Sequence, residues 1–278
     1  MNLLSSLTTF RIGGPCDAVY TPESAAEMTA LLKTLDCPTV LGRGSNILAA
    51  DEGVRTPVIL TAGLNAIRIE GDTLRAGCGV SLPELSRAAE SASLTGLEWA
   101  GGIPGTVGGG TVMNAGAYGG QMSDVLVSVC CADRERDASE CRFGYRQSVF
   151  TENPTLTVLE VTLKLTHGDP ADISRRTEAF RKARNEKQPV SLPSAGSFFK
   201  RPEGHFAGAL IERCGLKGVS VGGARVSEKH AGFLVNTGGA TCRDVMILAE
   251  RVRETVLRET GVALTPEVKL LGDISWSF

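Results

Sequence analysis

Few histidines, no paired cysteines, no long apolar run and no excess charge of either sign: each shortage removes a class of protein. Only His167, His205 and His230 occur in 278 residues. None stands beside a cysteine pair or an acidic cluster, so a zinc or metal-hydrolase centre is not expected. The eight cysteines, at 16, 37, 78, 130, 131, 141, 214 and 242, form no C-x-x-C pair. A chain this long needs no staples, and buried free thiols are the expectation. No apolar stretch approaches membrane-spanning length and no leader pattern opens the chain, so no membrane is expected and the reading is cytoplasmic. Lys and Arg number 29 against 31 Asp and Glu, a net charge of -2. Such a balance gives no electrostatic footprint for nucleic acid, and any anion must be bound by local groups.

What is present is an ordinary globular composition, 42% hydrophobic and 22% charged, long enough to bury a proper core. A helix is expected after Thr21-Pro22-Glu23, with Pro22 at its first position and Met28, Leu31, Leu32 and Leu35 as its stripe. Short strands are expected at PTVLG, AIRIE and TLRAG, then a helix behind the Ser81/Glu84 capping box. Strands follow at 125–132 and 156–165. His167-Gly168-Asp169-Pro170 breaks the pattern, and a domain boundary is placed near 168. Helices are expected at 172–186, at Phe206 to Cys214 before Gly215, and at Thr241 to Glu259 before Gly261. Strands and helices in segregated groups describe an α+β fold.

Glycine is concentrated in two places, GRGSN at 42–46 and AGGIPGTVGGG at 100–110, the latter holding six glycines in eleven residues. Neither has the lysine of a phosphate-binding P-loop, which disfavours nucleotide hydrolysis. The three-residue spacing of Gly102, Gly105 and Gly108, after a helix, argues against a Rossmann turn. Successive backbone N–H groups can form a nest for phosphate oxygens without a charged side chain. A tight packing turn explains one such loop equally well; two loops followed by MNAGAYGG favour a bound dinucleotide.

At this point the chain resembles a known family. TTFRIGGP (8–15), LGRGSNIL (41–48), GGIPGTVGG (101–109), MNAGAYGG (113–120), YRQSVF (145–150), SAGSFFKRP (194–202), GGARVSEKHAGFLVN (222–236) and PEVKLLG (266–272) are similar to the UDP-N-acetylenolpyruvoylglucosamine reductases. The motifs run in order along nearly the whole chain. With Tyr20, Tyr118 and Tyr145 the only tyrosines, and no tyrosine-bearing insertion after residue 168, it resembles the compact second type of that family.

The resemblance implies an FAD-binding fold of the vanillyl-alcohol oxidase type in two subdomains, 1–63 and 64–168, with 267–278 returning to the first. It also implies a substrate-binding domain at 169–266. FAD would be non-covalent and NADPH the co-substrate, and UDP-N-acetylglucosamine enolpyruvate would be reduced by hydride at C3 and a proton at C2. By motif, Arg146 and Glu267 match the residues that stabilise the enolate-like charge, and Ser197 matches the proton donor. A fixed guanidinium fork suits that charge; a glutamate does so if protonated or working through a water. The flavin contacts implied are Gly42, Arg43, Gly44, Ser45, Asn46, Gly101, Gly102, Ile103, Gly105, Thr106, Gly108, Gly109, Asn114, Gly116, Ala117 and Tyr118. Lys187, Arg201 and Lys217 would meet the substrate pyrophosphate, and the enzyme would be a monomer. Gln121, Ala209 and Lys269 depart from the family pattern. His230 is expected to be structural, and the basic helix at 175–187 a solvated face. The competing readings are a flavin oxidase of the same fold and a non-catalytic nucleotide-sugar binding module.

Overall fold

The computed structural model describes residues 2–276 and divides into two units, each assembled from separated stretches. A central unit comprises Val19–Arg43 and Pro57–Arg184. A terminal unit comprises the described residues up to Ala18, Gly44–Thr56, and the described residues from Asn185 onward. Its helices and those of the central unit are α1 (Ala25–Thr34), α2 (Leu82–Ser91), α3 (Val107–Val112), α4 (Val149–Glu152), α5 (Pro170–Lys187), α6 (Ala207–Arg213) and α7 (Cys242–Thr260).

The central unit is built on an antiparallel sheet ordered Glu135–Asp137, Leu126–Cys131, Val158–Lys164, Thr73–Gly77, Ile67–Glu70. Alternation sets its faces: Leu74 and Ala76 are buried and Arg75 between them is exposed. Leu74 stands opposite Leu163, and Ala76 opposite Val161, which in turn faces Val129. Leu82, Leu85 and Ala89 of α2 join the same core. Each buried Leu or Val among them contributes about 1.5–3 kcal/mol by leaving water. The Ser81/Glu84 box forms as expected, with the Glu84 carboxylate accepting the Ser81 N–H at 3.0 Å. A parallel sheet ordered Val19–Tyr20, Val58–Leu60, Thr39–Leu41 completes the unit.

Two expectations shift here. α1 starts at Ala25 instead of Pro22, because Ser24 is the better cap: its hydroxyl accepts the Glu27 N–H at 3.2 Å. The sequence suggests a division near 168, yet α5 stays with the central unit through residue 184. Ile173 is buried, Phe180 stacks on Tyr118 and Arg176 pairs with Glu98, which ties the helix to that unit.

In the terminal unit an antiparallel sheet runs Ser194–Ser197, Phe233–Asn236, Ala224–Val226, Ser220–Val221. Val245, Leu248, Ala249, Val252 and Val256 recur at helical spacing along α7 and share a core with Phe198, Val226 and Leu234. Thr241 and Asp244 cap α7, and Gly261 ends it at φ +73°. The Asp51 carboxylate also accepts the N–H groups of Cys242 at 2.7 Å and Arg243 at 3.2 Å. Late in the chain, Lys269–Leu271 pairs in parallel with Ile47–Ala49.

Candidate functional site

The glycine stretch in the central unit is not an open loop. Glu98–Gly102 is a 3-10 turn, and Thr106 caps α3, its hydroxyl accepting the Gly109 N–H at 3.3 Å. Three glycines weaken a helix by roughly 1 kcal/mol each, but close packing demands two of them. A Cβ on Gly108 would sit 2.8 Å from the Cys78 Cβ, and one on Gly110 3.3 Å from Leu82. The expected nest of free donors is corrected as well. The N–H groups of Gly105, Val107, Gly108 and Gly110 donate to the carbonyls of Ile103, Val80, Cys78 and Thr106 at 2.7–2.9 Å. Gly109 is different: it is exposed, and a Cβ there would meet only the Thr106 hydroxyl, at 3.6 Å.

The two glycine-rich segments meet at one point. A Cβ on Gly42 would lie 2.5 Å from the Thr106 hydroxyl. Beside it, Arg43 is exposed and adds to the forces on Glu84, whose carboxyl is held below its usual range chiefly by the Ser81 hydroxyl and N–H. In the terminal unit Gly44, at φ +58°, passes within 2.6 Å of the Leu7 carbonyl as measured from a Cβ position, so glycine is required there on two counts.

The MNAGAYGG segment folds as a hairpin in which Gly116 and Ala117 pair with Gln121 and Gly120. Tyr118 and Gly119, at φ +52° and +88°, form the tight turn. Asn114, expected as a flavin contact, is buried and its side chain is fully engaged. Its amide donates to the Gly144 carbonyl at 3.1 Å and Gln121 at 3.3 Å, and its oxygen accepts the Ser123 N–H at 3.0 Å. Its own carbonyl accepts from the Arg146 guanidinium at 3.4 Å. Asn114 therefore splices the hairpin to YRQS and helps to seat Arg146, whose guanidinium also lies 5.2 Å from the Tyr145 ring centre. Asn114, Tyr118 and Arg146 all hold left-handed backbone, a conformation costing about 1–3 kcal/mol that concentrates at functional sites.

In the terminal unit Ser197 and Glu267 come together across 70 residues of sequence. Phe199 bridges Pro266, and the Glu267 N–H donates to the carbonyl of Phe198, next to Ser197, at 2.8 Å. Asn46 closes the junction: its amide donates to the Glu267 carbonyl at 3.2 Å and its carbonyl accepts the Lys269 N–H at 2.9 Å. Ser197 is exposed and Glu267 half-buried. Of the expected pyrophosphate contacts, Lys187 is exposed at the end of α5, Arg201 covers the Phe206 ring at 4.6 Å, and Lys217 is ion-paired to Glu212. His230 accepts the Gly232 N–H at 3.1 Å, and burial holds its imidazole below the ordinary range, as befits a structural residue.

Sequence reading misses the inward face of α5. Ile173, Arg176, Thr177, Phe180 and Arg184 are less exposed than their neighbours and recur at helical spacing, the one signal that separates them from a solvated basic helix. Phe180 stacks on Tyr118 with ring centres 4.7 Å apart, and Arg176 reaches the buried Glu98 at 2.9 Å. Thr177 lies 3.2 Å from a Cβ position on Gly101, and the Arg184 Cδ 2.8 Å from that on Gly102. Among the described residues the cysteines are free thiols, no group of three or more metal-ligating side chains is placed to hold an ion, and no helix is long and apolar enough to cross a membrane.

Two family profiles match the chain. One described as an FAD binding domain covers residues 16–136, and one described as the C-terminal domain of UDP-N-acetylenolpyruvoylglucosamine reductase covers residues 188–271. The UDP-N-acetylenolpyruvoylglucosamine reductase of Lactococcus lactis subsp. cremoris (strain MG1363) is 44% identical over 279 residues, 97% of this chain and 93% of the relative. That of Clostridium beijerinckii is 45% identical over 273 residues, 95% of this chain and 90% of the relative. The solved reductase structure from Thermus caldophilus superposes with a TM-score of 0.86 at 37% identity, covering 97% of both chains.

Proposed function

We propose a division of labour that starts from one premise: the chain belongs to the UDP-N-acetylenolpyruvoylglucosamine reductase family. It is an FAD-dependent oxidoreductase of peptidoglycan precursor synthesis, converting UDP-N-acetylglucosamine enolpyruvate to UDP-N-acetylmuramate. The central unit fits an extended dinucleotide in that Gly119 has open space where a side chain would stand, next to the exposed Tyr118, and the exposed Gly109 has only the Thr106 hydroxyl in contact range. The flavin falls to Gly42–Asn46, to Gly101–Ile103, Gly105, Thr106 and Gly109, and to Gly116–Tyr118, while Gly108 and Asn114, whose groups are engaged within the chain, build the site from behind. Held by these residues, FAD would supply the hydride chemistry that links NADPH to C3 of the enolpyruvyl group.

The protein's own residues manage the charge that remains. Arg146 presents a rigid, always-charged fork to the substrate carboxylate as density builds on it. Ser197 donates its hydroxyl proton to C2; a hydroxyl is a weak acid, but an enolate carbon is a strong base, and positioning makes up the difference. Glu267 assists as a neutral acid or through a water. Lys187, Arg201 and Lys217 receive the pyrophosphate, Lys217 by exchanging its bond to Glu212. Residues 1–63 with 267–278, and 64–168, serve the flavin, and within 169–266 the part beyond α5 serves the substrate. The enzyme works as a cytoplasmic monomer.

The observation that supports this reading is the hydrogen bond from the Glu267 N–H to the Phe198 carbonyl, which joins the backbone carrying Glu267 to the strand end that carries Ser197. The test separates the half-reactions. Ser197→Ala should leave flavin reduction by NADPH nearly intact and slow reoxidation by substrate by about two to four powers of ten; equal losses in both would sink the assignment.

A further inference from the structure

The glycine stretch has no cation of its own, and most of its N–H groups are bonded within the chain. We propose that Arg184 supplies that cation from α5 and takes a phosphate oxyanion of the ligand that lies against Gly101–Gly109. The inference rests on the reading above. Other inward-turned arginines of the central unit meet carboxylates, Arg176 on Glu98 and Arg136 on Asp133. Arg184 meets no hydrogen-bond or ion-pair partner among the described residues. Its stem crosses Gly102, with Cδ 2.8 Å and Nε 3.8 Å from the Cβ position, and glycine there is what lets the stem lie so close. The Tyr118 phenol is near enough to act on the guanidinium. Burial pushes Arg184 below the usual arginine range, the tyrosine opposing this only in part. A half-buried guanidinium without a counter-charge is costly, and its planar fork of donors matches phosphate. The acids nearest the outer face of α5 are engaged elsewhere, Asp172 by Arg175 and Arg176 and Glu178 by Arg181.

The phosphate belongs either to the flavin pyrophosphate or to one of the nucleotide substrates, and one experiment distinguishes them. Arg184→Met keeps the stem over Gly102 and removes the fork; Arg184→Lys keeps the charge alone. For both variants and wild type the FAD dissociation constant of the apoprotein, the KM for NADPH and for UDP-N-acetylglucosamine enolpyruvate, and the urea midpoint are measured. Arg184→Met should weaken one of the three ligands by about tenfold to a hundredfold, with Arg184→Lys intermediate and the urea midpoint near wild type. A change in the FAD constant names the flavin; a change in either KM names that nucleotide. If Arg184→Met binds all three as wild type does, the proposal is wrong. Should that variant not fold, Arg184→Lys decides, and unchanged affinities there overturn it equally. Wild type that fails to turn over would instead refute the functional reading itself.

Discussion

Asn114 is a residue whose function cannot be read from its neighbours in sequence. Amid glycines in MNAGAYGG it looks like a ligand contact, yet its side chain is consumed by Gly144, Gln121 and Ser123. Gly144 lies 30 residues away, and only the fold discloses the partnership. Asn114→Ala would strand the Gly144 carbonyl and the Ser123 N–H, and should cost about 2–4 kcal/mol by urea denaturation. By freeing Gly144, two residues before Arg146, it should also lower kcat more than it lowers flavin content. Gly108 makes the same point about small residues. A methyl at 108 meets Cys78 within 2.8 Å, so Gly108→Ala should destabilise even the flavin-free protein by about 1–3 kcal/mol. Full stability of that apoprotein would return Gly108 to the ligand-contact reading. By contrast Ser81 and Glu84 were legible, because a capping box is closed by four consecutive residues.

Helices with local signals follow the sequence closely, as α2 and α7 do; α3 does not, since a run of glycines reads as loop until Thr106 is seen to cap it. α5 is half legible: its extent is clear, its inward face hidden by the charges around it. The contact that fastens α5 is also a titrating one. Burial pushes the Glu98 carboxyl up, but the Thr95 hydroxyl, backbone N–H groups and Arg176 outweigh it, and the net is below the ordinary value of 4.5. A carboxylate depressed on folding adds stability that is present above its unfolded value and lost as pH falls through its folded one. Wild type should therefore lose unfolding free energy on acidification below about pH 4.5, and Glu98→Gln should lose less over the same range. Identical urea midpoints against pH for the two proteins would dissociate Glu98 from the acid limb. At the other long helix, Thr241→Ala removes the cap of α7 and should cost about 1 kcal/mol by the same measurement.

Across the molecule, the sequence made the α+β class and the order of motifs plain, because motifs are contiguous. The partition into units was less plain, because each unit is stitched from separated pieces and α5 crosses the expected boundary. A ligand that binds only the folded protein stabilises it by mass action, so FAD at a hundred times its dissociation constant should add about 2.7 kcal/mol to the apoprotein. The increment should vanish in a variant that no longer binds flavin.

The parallel pairing of Ile47–Ala49 with Lys269–Leu271 also has a consequence in time. On the ribosome the first strand leaves the tunnel roughly 10–45 s before its partner is made, at about 5–20 residues per second. Through that interval the apolar Leu48 waits without the strand that completes its sheet, while Pro57–Arg184 is made and joins Val19–Arg43 in the central unit. Glu267 arrives with the same closing segment. The nascent chain thus acquires its proposed acid and its last sheet pairing together, and a chain stalled before residue 267 would hold a formed central unit but lack Glu267 and the strand that completes the Ile47–Ala49 sheet.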